Sequence, residues 1–88
     1  MSSPSKEIGS KIRKIREAVG MSRDDFADAV GVPPTTLKNY EMGYREVGGE
    51  FLMKLSSNQQ FHRFTLWLLS GKKEPSVGQI GPEDFVKV

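Results

Sequence analysis

The sequence contains no cysteine and only one histidine, His62. Disulfide bridges are therefore excluded, and so are zinc sites built from thiolates or from several imidazoles. A single histidine without a second ligand is also poorly suited to act as a metal ligand or a catalytic base. We expect neither a metal nor another cofactor.

Long apolar runs are missing as well. No stretch reaches the roughly 20 apolar residues of a membrane-spanning helix, and the serine-rich start lacks the apolar segment of a signal peptide. The chain shows no nucleophile paired with a base, no cluster of acids and no phosphate-binding glycine loop. These absences predict a cytoplasmic protein that is not an enzyme and has no membrane partner.

The composition allows one small domain. The chain has 88 residues, 36% of them hydrophobic, and a net charge of +2. Basic residues outnumber acidic ones in the opening quarter, and they are Lys6, Lys11, Arg13, Lys14, Arg16 and Arg23. A basic cluster is compatible with a nucleic-acid partner, but it is also typical of an ordinary solvated helix face.

Apolar residues recur at helical spacing in five segments, which predicts an all-α fold of five helices. The expected helices cover about residues 5–19, 23–30, 34–42, 51–55 and 61–70. Ser22 stands three residues before Asp25 in the arrangement of a capping box, and Gly31 supplies a left-handed turn. Residues 21–43 therefore have the layout of a helix-turn-helix.

The third helix carries two different faces. Leu37 and Tyr40 are spaced to pack inward, whereas Thr35, Lys38 and Asn39 lie on another side. An asparagine amide can bind adenine, a lysine can reach guanine or a phosphate, and a threonine can contact thymine. The spacing alone is equally compatible with an ordinary exposed face.

Two positions next to this helix are suited to phosphate. Ser22 and Arg23 begin the second helix, where free amides and the positive end of the helix dipole favour an anion. Tyr44 and Arg45 follow the third helix and can hold a second phosphate on its far side.

With these residues in place, the chain resembles the phage-repressor and Cro-type helix-turn-helix family, also called XRE-like, over about residues 8–71. The resemblance rests on the block 21–43, with Ala27 at the helix crossing, Gly31 in the turn and the ending Tyr40-Glu41-Met42-Gly43. The segment Trp67-Leu68-Leu69-Ser70-Gly71 is similar to the end of the fifth helix in many prophage repressors. The resemblance implies a compact five-helix bundle with a central helix-turn-helix.

It also implies roles for individual residues. Base-reading positions of the family fall on Pro34, Thr35, Lys38 and Asn39. Phosphate contacts fall on Ser22, Arg23, Met42, Tyr44 and Arg45, and an internal ion pair falls on Arg16 and Glu41. Proline has no donor, so Pro34 is limited to an apolar or shape contact, and Met42 stands where the family commonly has a polar residue.

The end of the chain has a different composition. Residues 72–84 are rich in proline, glycine and charge and show no apolar period, which is typical of a linker. Residues 83–88 alternate in the manner of a strand and look similar to the opening of the second domain in LexA-like, self-cleaving repressors. We therefore expect a DNA-binding domain at 5–71 and a linker or tail at 72–88 that leads to a further C-terminal domain. A disordered native tail is the alternative.

The predicted function is sequence-specific binding of a double-stranded DNA operator by a transcriptional repressor. Such a protein acts as a homodimer on half-sites about one helical turn apart. The alternative is a helical protein-interaction or antitoxin-like module that uses residues 61–69 as its partner surface. Exposure of Phe64 and Trp67 would favour this alternative.

Overall fold

The computed structural model describes residues 4–85, which contain five α-helices. They are α1 (Pro4–Ala18), α2 (Arg23–Val30), α3 (Pro34–Glu41), α4 (Gly49–Ser57) and α5 (Thr65–Ser70). A 3₁₀ turn at His62–Phe64 leads directly into α5, and two more 3₁₀ turns follow at Pro75–Val77 and Pro82–Asp84. The fold is all-α, as predicted. None of the helices within residues 4–85 is long and apolar enough to cross a membrane.

A side-chain cap, a glycine and a backbone hydrogen bond define α2 and the turn that leads to α3. The Oγ of Ser22 accepts a hydrogen bond from the Asp25 amide at 3.1 Å, which caps the first turn of α2. Gly31 ends α2 at φ 75°, a left-handed conformation that costs glycine little. The Val32 amide then donates back to the Ala27 carbonyl at 3.0 Å. Both ends of the turn are thus specified by local sequence.

Every helix contributes side chains to one core. The buried apolar residues are Ile12, Ile15, Phe26, Ala27, Val30, Leu37, Tyr40, Phe51, Leu55, Phe61, Phe64 and Leu68. The rings of Phe26 and Phe61 meet with their centroids 4.6 Å apart, so α2 packs against the approach to α5. Ala27 is fully buried, and its small side chain suits the helix crossing.

The segment after α5, whose composition is typical of a linker, is folded against the helices. The Ile80 amide donates to the Arg63 carbonyl at 2.8 Å, and Ile80 and Phe85 are partly buried against the core. The Gln79 side chain accepts from the Leu66 amide and donates to the His62 carbonyl. Two isolated apolar residues and one glutamine make the contacts with the helices, and such isolated residues leave no periodic signal in the sequence.

The strand expected at 83–88 is not present in its described part. Glu83 and Asp84 belong to the 3₁₀ turn Pro82–Asp84, and the Asp84 carboxylate accepts a hydrogen bond from the Gly81 amide. Proline at the first position of this turn favours its backbone over an extended one. Val86, Lys87 and Val88, which complete the expected strand, lie outside the described residues.

Candidate nucleic-acid interface

The inner face of α3 anchors this helix in the core. Leu37 is completely buried, and Tyr40 and Glu41 are each 7% exposed. The Tyr40 ring meets the Phe51 ring edge-on with centroids 5.0 Å apart, which ties α3 to α4. The position of the helix is therefore set by packing on one side only.

A close approach of α1 to the end of α3 adds to this anchoring. A Cβ atom placed on Gly9 would lie 1.9 Å from the carbonyl oxygen of Tyr40. Only glycine allows the two backbones to come this near. Gly9 was not among the residues singled out in the sequence, because a contact between distant segments leaves no local pattern.

The outer face of α3 presents the polar side chains that the sequence assigned to bases. Thr35 and Lys38 are exposed, and Asn39 is half-buried. Pro34 is exposed as the first residue of the helix and follows Pro33, which provides no side-chain cap. Along this side the helix offers a hydroxyl, a methyl group, an ammonium and an amide, which are groups that suit base edges in a major groove.

The loop after α3 is attached to that helix by its backbone. The carbonyl oxygen of Asn39 accepts hydrogen bonds from the amides of Tyr44 at 2.9 Å and Arg45 at 3.3 Å. The Arg45 guanidinium lies 5.9 Å from the centre of the Tyr40 ring. Tyr44 is 73% exposed and Met42 is 43% exposed. Tyr44 and Arg45 thus stand at the C-terminal end of the exposed face of α3.

The start of α2 is the second position that the sequence assigned to phosphate. Ser22 is exposed, and its hydroxyl keeps a proton to donate while its oxygen caps Asp25. Arg23 is the first residue of α2, and its side chain is 33% exposed. Both residues are available to an anion near the positive end of the helix dipole.

Glu41, the last residue of α3, accepts hydrogen bonds from two arginines. Its carboxylate accepts from Nε of Arg16 at 2.8 Å and from Nη2 of Arg16 at 3.1 Å, while Nη1 of Arg16 donates to the Met21 carbonyl. The hydrogen bond with Glu41 raises the pKa of Arg16 above its ordinary value. Arg16 and Glu41 therefore form a buried ion pair that joins α1 to α3.

The second arginine on Glu41 is Arg23. Its Nε and Nη2 donate to Oε1 of Glu41 at 3.3 and 3.2 Å, and the carboxylate side chain is fully buried. The sequence suggested Arg16 as a partner of Glu41 and Arg23 as a phosphate ligand, and it gave no sign that Arg23 also contacts Glu41. The missed contact joins residues 18 positions apart.

The aromatic residues near α5 belong mainly to the interior. Phe64 is completely buried, and Trp67 is partly buried against the core. The Lys11 ammonium lies 5.4 Å from the Trp67 ring and donates to the Trp67 carbonyl at 3.3 Å. With Phe64 buried and Trp67 only partly exposed, the exposure that would have favoured a protein-interaction module is not observed.

Comparison with known proteins agrees with this geometry. A family model described as helix-turn-helix matches residues 12–58, which run from within α1 through α2, the turn and α3 to the end of α4. The chain is also similar to Repressor protein C of Escherichia phage P2, with 36% identity over 78 residues, 89% of this chain and 79% of the relative. The matched segment contains the two faces of α3 and the cluster around Glu41. This chain belongs to the helix-turn-helix family of phage-repressor and Cro-type DNA-binding domains.

Proposed function

We propose that this transcriptional repressor binds a double-stranded operator with the outer face of α3 in the major groove. Thr35, Lys38 and Asn39 read base edges, and Pro34 makes an apolar contact. The observation that carries this assignment is the division of α3, whose apolar side is buried while its polar side is exposed or half-buried. The family and the phage repressor relative support the function as a repressor.

Phosphate contacts flank this helix on both sides in the proposal. Ser22 and Arg23 bind the backbone from the start of α2, and Tyr44 and Arg45 bind it from the loop after α3. Met42 contributes only its exposed apolar side chain to the same edge, because a thioether has no hydrogen to donate to a phosphate oxygen. Contacts of this kind position the protein on the duplex, whereas the side chains of α3 choose the sequence.

We further propose that the repressor binds as a homodimer to half-sites about one helical turn apart. On α5, Leu69 is 57% exposed and lines an open, mainly apolar groove with Leu66 and Thr65. A second copy can cover this surface. A dimer bound across a promoter in the cytoplasm then represses transcription by excluding the polymerase, without any catalytic step.

The further C-terminal domain expected from the tail stays a prediction. The aligned 78 residues make up 79% of the phage P2 relative, so only about a fifth of that protein lies outside the alignment. A remainder of roughly 20 residues is shorter than an ordinary domain. The relative therefore gives no support for a self-cleaving domain after the region that it shares with this chain.

Selection of bound duplexes from a random DNA pool tests the function. We expect the chain to enrich one sequence with two symmetric half-sites and to bind it at least about a thousandfold more tightly than unselected DNA at the same salt concentration. Sedimentation of the complex should give two protein chains per duplex. Equal affinity for all duplexes would contradict base reading, and one chain per selected duplex would contradict the dimer.

A further inference from the structure

The cluster around Glu41 contains more positive than negative charge. One carboxylate accepts hydrogen bonds from two guanidinium groups, so the three side chains together keep a charge of +1. The Glu41 side chain is fully buried, Arg16 is 13% exposed and Arg23 is 33% exposed. The surplus positive charge therefore reaches solvent mainly through Arg23.

The orientation of Arg23 follows from its two bonds to Glu41. Nε and Nη2 point to the carboxylate, and within residues 4–85 Nη1 donates to no partner. A guanidinium is planar, so fixing one edge also fixes the direction of the remaining donors. Arg23 also stands directly after the exposed hydroxyl of Ser22, at the free amides of α2.

We propose that Glu41 is a positioning residue that holds Arg23 ready for a DNA phosphate. This inference rests on the proposed function and concerns the residues that prepare its phosphate contact. A buried acid then strengthens the binding of a polyanion, although its own charge opposes that binding. Arg16 makes this arrangement effective, because its bidentate pair with Glu41 offsets the carboxylate charge and leaves that of Arg23 available.

Holding Arg23 in place reduces the conformational freedom that its side chain loses when it binds a phosphate. A free arginine side chain loses rotamer freedom when it binds a phosphate, which costs about a factor of ten in affinity. An arginine already held by Glu41 loses much less on binding. The Coulomb repulsion between Glu41 and a phosphate is the opposing effect, and the neighbouring guanidinium of Arg16 reduces it.

A pair of charge-matched variants separates positioning from plain electrostatics. Glu41→Gln and Glu17→Gln each raise the net charge by one, but within residues 4–85 the ion pair of Glu17 is with the exposed Arg13 on α1, and Glu17 acts on Arg16 only through space. With a mixed-sequence duplex of about 20 base pairs as the probe, we expect Glu41→Gln to weaken binding by about five- to tenfold. Glu17→Gln should leave the dissociation constant within about twofold.

Variants of Arg23 test whether the effect passes through that side chain. Arg23→Met should weaken binding and reduce the slope of log affinity against log salt by about one. When it is combined with Glu41→Gln, the second change should add less than about twofold, because the positioned group is already absent. Arg23→Lys keeps the charge without the planar fork, and it should bind more weakly than the unmodified chain.

Several results would overturn the proposal. Glu41→Gln binding as tightly as Glu17→Gln would contradict positioning, and so would Arg23→Lys binding like the unmodified chain. An equal loss from Glu41→Gln with and without Arg23→Met would assign the effect to a general shift of α3. Because Arg23 is partly exposed, we expect its variants to fold. They therefore test the proposal even if Glu41→Gln does not fold. If the unmodified chain bound no duplex at all, the proposed function would fail and this inference with it.

Discussion

The region around α3 and the segment after α5 are held in place by different means. Helix α3 is fixed by a continuous buried face, a close backbone approach at Gly9 and two guanidinium groups on Glu41. Residues 72–85 are held by the partly buried Ile80 and Phe85 and a few polar contacts. The helix that carries the proposed function is thus attached to the core at several buried points, whereas the final segment is held by two partly buried side chains and a few polar contacts.

The largest expected effect comes from breaking the anchoring of α3. Gly9→Ala places a Cβ against the Tyr40 carbonyl, so α1 and α3 must move apart. We expect a loss of at least about 3 kcal/mol in the free energy of unfolding, with a loss of DNA affinity in the molecules that still fold. Denaturant titration and duplex binding measure the two quantities.

Gly49→Ala provides the matched control for this change. Gly49 also lies in a helix, but a Cβ there meets nothing within 4 Å. Gly49 is the first residue of α4, where only part of the interior helix propensity applies, so alanine should stabilise the fold by less than about 1 kcal/mol. If Gly9→Ala were as well tolerated as Gly49→Ala, the close approach would not anchor α3.

A smaller effect is expected in the final segment. Phe85→Ala removes a ring that lies 6.1 Å from that of Phe64 and 5.7 Å from the Arg63 guanidinium. Because Phe85 is only partly buried, we expect a loss of about 1–2 kcal/mol, below the range of a fully buried phenylalanine. DNA affinity per folded molecule should stay unchanged, since this segment is separate from α3.

Val77→Ala is the control in the same segment. Val77 is 70% exposed, so its truncation should change stability by less than about 0.5 kcal/mol. Thermal unfolding of both variants tests the comparison. Equal melting temperatures for Phe85→Ala and Val77→Ala would show that the segment does not pack on the core in solution.

Some of the features that hold α3 could be predicted from the sequence, and others could not. Ser22 and Gly31 act on residues a few positions away, so their chemistry predicted the cap and the turn correctly. Gly9 and the contact of Arg23 with Glu41 depend on segments brought together only by folding. Local pattern therefore predicted the two faces of α3, but it could not predict what fixes the helix beneath the site.

The folded final segment was missed for a related physical reason. Ile80 and Phe85 stand apart among prolines, glycines and charges, and neither helical nor strand spacing links them. A linker and a segment fixed by two apolar anchors have nearly the same composition. The Gln79 contacts with Leu66 and His62 distinguish the two cases, and they appear only in the folded chain.

The smallest expected effect concerns pH. Lys73 contacts Glu83 at 2.8 Å and Asp84 at 3.0 Å, at the surface of the final segment. The hydrogen bond from Lys73 lowers the pKa of Glu83 below its ordinary value. The hydrogen bond from the Gly81 amide, and then that from Lys73, lowers the pKa of Asp84 below its ordinary value. A carboxyl group whose pKa is lowered by folding stabilises the fold at pH values above its ordinary pKa. This stabilisation is lost as the pH falls through the folded-state pKa values.

Lys73→Met measures this contribution. The unmodified chain should melt slightly higher than the variant near neutral pH, and the difference should vanish as the carboxyl groups become protonated. Salt should also reduce it, because all three groups are exposed. A difference that grew on acidification would contradict the assigned sign.

In the proposed function, the outer face of α3 reads bases while its inner face only holds the helix. Selection from the same random DNA pool with Asn39→Ala examines this division of the helix. We expect the variant to fold normally, to enrich a site that has lost its preference at one base pair in each half-site, and to bind the original operator about 1–3 kcal/mol more weakly. An unchanged selected sequence with unchanged affinity would show that Asn39 does not read a base and would contradict the account.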